Sequence, residues 1–352
     1  MGVDNSMPEN LQIASKRTLF GVVRFLLLLA LFGTVSLGAL MMFSIRPANN
    51  DPAALSKIIH VQHGMSAGHI ADLLSDEGII SDPILFRFVV RVLRAEQSLQ
   101  AGYYLLNPTM GPLEIIDHLR YGEVTTERVV IPEGLEIKQI ATILAERGLV
   151  DRERFIELAH DASLVFGDNW PMDLPIASLE GYLFPDTYRF SLGQSEEDII
   201  GQMVHRFLQV LSGEVATLLE ESEFTLHEVV TLASIVEREI MVDHERPIVA
   251  SVYLNRLAID MPLQADPTVR YVMTEDRSRV LYRDLEIESP YNTYRNRGLP
   301  PGPIASPGLA SILAVFNPAE TDYFFFVSKR DGTHQFSKTY NDHLRARRML
   351  GY

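Results

Sequence analysis

Between Phe25 and Ile45 the chain carries no charged residue, about the 20 residues a helix needs to cross a bilayer core. The apolar run extends back through Arg24 to Leu19, with Lys16, Arg17 and Arg24 on its N-terminal side and Arg46 and Asp51 beyond it. That cation bias predicts a cytoplasmic tail over 1–18, a single-pass anchor over 19–45 in the inner (plasma) membrane, and an exported, periplasmic or extracytoplasmic body. The small residues of Ser36-Leu-Gly38 offer a signal-peptide reading, but the run exceeds the roughly 7–15 residues of a cleaved h-region. Residues 46–56, rich in Pro, Ala and Asn, read as a linker.

The pattern then repeats. Setting His60-Val-Gln-His-Gly64 over Val130-Ile-Pro-Glu-Gly134 without gaps aligns Ile70-Ala71 with Ile140-Ala141, Leu74 with Leu144 and Gly78 with Gly148. Each copy predicts a strand, a Gly turn, an amphipathic helix stopped by Gly, and a second helix. The copies span 57–125 and 126–165. Gly64-Met-Ser66-Ala-Gly-His-Ile70-Ala71 resembles the start of a LysM-like glycan-binding unit, and a pair of structural spacers is the plainer reading. Leu99–Leu106 alternates like a strand, and Met110–Tyr121 reads as a short helix.

From 166 to 352 the texture changes. Helical periodicity covers Glu196–Leu219, Thr225–Met241 and Pro247–Ile259. A long segment dense in Pro, Gly, Tyr and Asn runs from Asp266 to Gly308, with Leu309–Phe316 as a helix and Tyr323–Ser328 and Thr333–Phe336 as a hairpin. The expected class is α+β: a transmembrane helix, duplicated LysM-like α/β units, and a mixed catalytic domain with a loop-rich cleft. In Thr225–Met241 a capping box, Thr225-Leu-His-Glu228, opens the helix, and Val229, Leu232, Ala233, Val236 and Ile240 mark its core stripe. At roughly 100° per residue, Glu237 and Glu239 fall on opposite shoulders and Arg238 points away. A carboxyl against an apolar wall is pushed toward neutrality, as a general acid requires, although most helix-shoulder glutamates are plain surface residues.

Composition narrows the chemistry. A hydrophobic share of 47% over 352 residues supports a sizeable core. A net charge of −15 argues against nucleic acid as a partner. The absence of cysteine removes thiolate metal sites and Cys nucleophiles. The ten histidines lack metal-ligand spacing, so neither metal nor cofactor is expected. Three polar-aromatic islands remain: Leu179–Tyr188, Leu263–Tyr271, and Tyr291–Tyr294 leading into Gly298–Gly308. Tyrosines beside Asn, Gln, Asp and Thr can stack on a sugar face and bond its hydroxyls.

These islands, together with Ala233–Glu239, Tyr323–Ser328 and Gly332-Thr-His334-Gln-Phe336, stand in the order found in the endolytic murein transglycosylase, YceG-like family, which the sequence resembles along its length. The resemblance implies cleavage of the β-1,4 bond between N-acetylmuramic acid and N-acetylglucosamine with a 1,6-anhydromuramic product. One carboxyl suffices: it protonates the glycosidic oxygen, then as carboxylate accepts the proton of the C6 hydroxyl that attacks C1. The resemblance points to Glu237 as that residue, leaves Glu239 at the cleft edge, and puts Ser234 where it could orient the carboxyl. Glu180, Tyr182, Gln264, Asp266, Thr268, Asn292, Tyr294 and His334 are the candidates for holding peptidoglycan strands. A tether next to the membrane makes new strands the natural substrate and peptidoglycan synthases natural neighbours. The alternatives are a noncatalytic peptidoglycan-binding scaffold and a two-carboxylate muramidase, with Asp266 or Glu180 as the second acid.

Overall fold

The computed structural model describes residues 46–122 except 52, 126–274 except 168, 169, 171 and 173, 280–352, and 24–34 except 26 and 30. The expected anchor therefore lies mostly outside the described residues. Its described part is helical, and among the described residues no helix is long and apolar enough to cross a membrane. The chain divides into two compact units, Met1–Thr125 and Thr126–Tyr352, and the architecture is mixed α+β.

In the first unit β1 (Lys57–Val61) leads through Gly64 into α1 (Ala67–Asp76) and α2 (Pro83–Val92), and β2 (Gly102–Leu106) returns antiparallel to β1. Ser66 caps α1 by accepting from His69 N, and Asp82 caps α2 just before Pro83. Alternation buries Ile59, Val61, Tyr104 and Leu106 on one face of the ribbon, against Ile70, Leu74, Phe86 and Val90. Helix α3 (Pro112–Tyr121) adds Ile115, Ile116 and Leu119 to that core.

The second unit opens on the same plan. β3 (Thr126–Val130) is followed by α4 (Ile137–Glu146), α5 (Arg152–His160) and the short α6 (Ala162–Phe166), and β4 (Thr187–Ser191) pairs antiparallel with β3. The duplication reaches the closing strand, which the sequence pattern did not reveal. Ile59 pairs with Tyr104 and Val129 with Tyr188, and each tyrosine hydroxyl donates to the carbonyl four residues back, Gln100 O at 2.8 Å and Phe184 O at 2.5 Å. About fifteen additional residues before β4 hide this second strand from a gapless alignment.

Residues 126–165 share one hydrophobic core with the remainder of the second unit. α7 (Glu196–Leu211) and α8 (Glu214–Glu220) replace the single helix expected there, because Gly213 at φ +77° breaks it. The central element is α9 (Leu226–Glu239), whose residues Val229 to Val236 are all buried. It is enclosed on every side rather than laid down by one stripe. Around it pack α10 (Arg246–Ala258), α11 (Asp266–Val272) and α12 (Leu309–Phe316). A hairpin of β5 (Phe325–Ser328) and β6 (His334–Ser337) comes next, with β5 half-buried, and α13 (Tyr340–Met349) closes the described chain. Truncating Leu232 to Ala would cost about 2–5 kcal/mol at such a site.

Candidate active site

Helix α9 ends on Glu237-Arg238-Glu239, and the two acids meet different surroundings. The Glu237 side chain is only 8% exposed and both its oxygens are engaged. Oε1 accepts from Arg246 Nη2 at 3.2 Å. Oε2 accepts from Gly308 N at 3.1 Å and from Ser311 Oγ at 2.7 Å. Gly308 is the N-cap of α12, so Glu237 supplies the anion that the first turn of that helix favours, and Arg246 balances it. Arg246 also bonds Ser311 and Asp243 and lies 3.6 Å from Glu133. Burial and the nearby Glu237 charge push the Glu133 carboxyl above its ordinary value. The site chosen by resemblance is thus a buried helix-capping node.

Glu239 faces a cavity of about 500 Å³ walled by Arg238, Asp266, Arg270, Ser328 and His334 among others. Its Oε1 accepts from the buried Tyr253 hydroxyl at 2.7 Å. Desolvation lifts its pKa to about 7; the Asp266 charge adds to that rise, and the Tyr253 hydrogen bond, Arg256 and Arg270 offset part of it. A carboxyl poised near neutrality is populated in both proton-donating and proton-accepting forms, which a group that acts first as acid and then as base requires.

Of the sequence-predicted residues, Asp266 and His334 reach this cavity. Asp266 Oδ1 accepts from the Tyr294 hydroxyl at 2.6 Å, which fixes the carboxylate at the mouth of α11. His334 is buried to 9% exposure, with its Nδ1 2.6 Å from Glu245 Oε2 and its backbone N donating to Glu245 Oε1 at 2.9 Å. That pairing fixes the ring orientation and leaves Nε2 as the other polar atom of the ring.

Most of the remaining candidates are engaged in internal hydrogen bonds, while Gln264 keeps an exposed side chain. Ser234 Oγ donates to Thr231 O and accepts from Ile304 N, and so ties the loop to α9 without bonding Glu237. Tyr182 is fully buried, its hydroxyl 2.7 Å from His227 Nδ1, while His227 Nε2 lies 2.8 Å from Pro301 O. Asn292, also fully buried, donates to Leu285 O and Ile287 O. Thr268 bonds Ala265 O and Thr293. Gln264 sits at φ +48° with an exposed side chain, its backbone N donating to Thr293 O. Glu180 is buried at 2% exposure, accepting from Ile137 N and Tyr271; desolvation, with Glu136 nearby, raises its pKa to about 8.

Three residues of the site escaped the sequence reading. Arg270 follows Asp266 by four residues and therefore shares its face of α11, a relation that appears once Asp266-Pro267 is read as a helix start. Arg238 is half-buried, its Nη1 donating at 2.7 Å to Gly134 O in the turn between β3 and α4. Tyr253 carries no local signal. Among the described residues no cluster of three His, Asp or Glu side chains is placed to hold a metal.

An enclosed acid able to give and take a proton, walled by cations, a histidine and a carboxylate, defines a general acid–base enzyme. The chain belongs to the YceG-like family, whose model matches residues 59–349. It is 35% identical over 304 residues to the endolytic murein transglycosylase of Bacillus subtilis, covering 82% of this chain and 83% of that protein. With the endolytic murein transglycosylase of Streptococcus pneumoniae serotype 2 it shares 28% identity over 315 residues, 82% of this chain and 57% of the longer relative. The crystal structure of a YceG-like protein from Listeria monocytogenes superposes with a TM-score of 0.58 at 33% identity, covering 84% of this chain and all of that one.

Proposed function

We propose that this chain is an endolytic peptidoglycan lytic transglycosylase in which Glu239, not Glu237, is the general acid and then the base. The observation that carries this reading is the half-buried Glu239 carboxyl on the cavity wall, held there by the Tyr253 hydroxyl at 2.7 Å. The protonated acid donates to the oxygen between a muramoyl residue and the next sugar, and C1–O cleavage develops positive charge at C1. The resulting carboxylate accepts the proton of the muramoyl C6 hydroxyl as its oxygen bonds C1, which closes a 1,6-anhydro ring without water and restores the acid. Tyr253 holds one carboxyl oxygen through both steps. His334, fixed by Glu245, and Arg270 contribute polar contacts to the sugars.

Product analysis tests the reaction. Mass spectrometry of digested glycan is expected to give 1,6-anhydromuramic ends with no oxygen-18 from labelled water. Reducing ends carrying the label would bring forward a hydrolase in which Asp266, on the same cavity, activates water.

The uncharged run Phe25–Ile45 and the cations preceding it support a single-pass anchor with the catalytic unit exported, close to newly made strands and their synthases. The βααβ order of the first unit supports its reading as a LysM-like glycan-binding module.

A further inference from the structure

A second cavity of about 530 Å³ lies in the same unit, and Arg238 and Arg270 stand in the walls of both. Among the described residues, its charged lining beyond those two arginines is Lys138, Arg152 and Glu136. Four described cations against one described carboxylate, on a chain with a net charge of −15, make a local reversal of sign. Lys138 pairs with Glu136 at 2.8 Å, and Arg152 bonds Thr142 and the exposed Glu153. Among the described residues no carboxylate lies within ion-pair distance of Arg238 or Arg270; burial lowers the Arg238 pKa, the Arg270 charge adds to that, and the charges of Glu136 and Glu180 offset part of it. Like charges held together around a polar cavity are stabilised by an anion from outside the chain.

We infer that this basic annex is a subsite for the carboxylates of the peptide stem carried on the lactyl group of a muramoyl residue, bound while its sugar lies in the Glu239 cavity. The inference rests on the glycan reading given under Proposed function. In that substrate the sugars are uncharged, and the lactyl carboxyl is consumed in the amide to the stem, so the anionic groups belong to the peptide. The shared arginine wall lets one muramoyl residue present its ring to Glu239 and its stem to Lys138 and Arg152. Those two line the annex but not the Glu239 cavity, so changing them leaves the acid's surroundings intact.

The test uses the full-length protein in detergent with Lys138→Glu and Arg152→Glu, singly and together. Calorimetry with N-acetylmuramic acid bearing an acidic tripeptide is expected to show binding that falls about tenfold or more in each variant. The lactyl amide of N-acetylmuramic acid, which carries neither the stem nor a free carboxylate, should bind at least about tenfold more weakly than the peptide-bearing form. Cleavage of glycan stripped of its stems by an amidase, with the freed lactyl carboxyls converted to amides, should be unchanged by the substitutions, while cleavage of peptide-bearing glycan should fall with binding. Wild-type protein that fails to bind the muramoyl peptide, or binds it as well after both substitutions, or binds the lactyl amide equally, overturns the subsite. Charge-dependent binding by a protein that cleaves no glycan would uphold the subsite and refute the transglycosylase reading instead.

Discussion

Replacing Tyr253 by Phe removes one hydroxyl from a buried position and leaves the ring, which packs edge-on to Phe326 at 5.9 Å. That hydroxyl donates to Glu239 Oε1 at 2.7 Å and holds the carboxyl below the value that desolvation alone would impose. A hydrogen bond to a charged group contributes about 1.5–3 kcal/mol, part of which the neutral acid also enjoys. The differential is then about 1.4 kcal/mol, or about one unit of pKa. The reaction begins with protonated Glu239, so kcat/KM falls as pH rises through its pKa. In wild type that descent should centre near pH 7, and in the Phe variant about one unit higher. The assay is kcat/KM against pH on purified glycan, with folding checked at each pH by circular dichroism. Glu237, bonded to Arg246, Gly308 and Ser311, has no contact with Tyr253 that would transmit such a shift. A descending limb that stays in place, or moves to lower pH, refutes Glu239 as the acid.

Two further outcomes concern stability. Glu180 keeps its proton to about pH 8 when folded against an ordinary 4.5, so the folded state holds a proton the unfolded chain has lost. Stability should therefore fall as pH rises from about 4.5 to about 8, and Glu180→Gln should flatten that slope and stabilise the protein by a few kcal/mol above pH 8, read by denaturant titration. Gly181 sits at φ +88°, and an added Cβ would come within 2.4 Å of Pro303 Cβ, so Gly181→Ala should cost about 2–4 kcal/mol by thermal unfolding. A loss under about 0.5 kcal/mol would mean that the loop shifts freely there.

Much of the frame was legible because it is written in short-range chemistry. The gapless repeat places Gly64 and Gly134, and Gly78 and Gly148, at matching left-handed turns, and the Thr225–Glu228 capping box opens α9 in the structure as in the sequence. β4 was missed because its pairing with β3 is set by distant residues, and α11 because seven residues are too few to show a period. Within the site, spacing put Glu237 and Glu239 on opposite shoulders but could not say which shoulder would be covered. That depends on where the Gly298–Gly308 loop lies, and its backbone amide at Gly308 turns Glu237 into a helix cap. Asn292, Thr268 and Tyr182 read as sugar contacts because the residue types that bond hydroxyls are also those that satisfy buried polar groups of loops.

The central claim rests on which acid of the triplet transfers the proton, and matched substitutions in the full-length protein test it most directly. Glu239→Gln keeps the shape and the Tyr253 partner but holds no transferable proton, so it should fold as wild type and release no anhydromuramic ends from peptidoglycan. Glu237→Gln weakens a buried ion pair with Arg246 and should lose about 2 kcal/mol of stability while its folded fraction still cleaves. Cleavage by a folded Glu239→Gln protein, with none from a folded Glu237→Gln protein, would contradict the account.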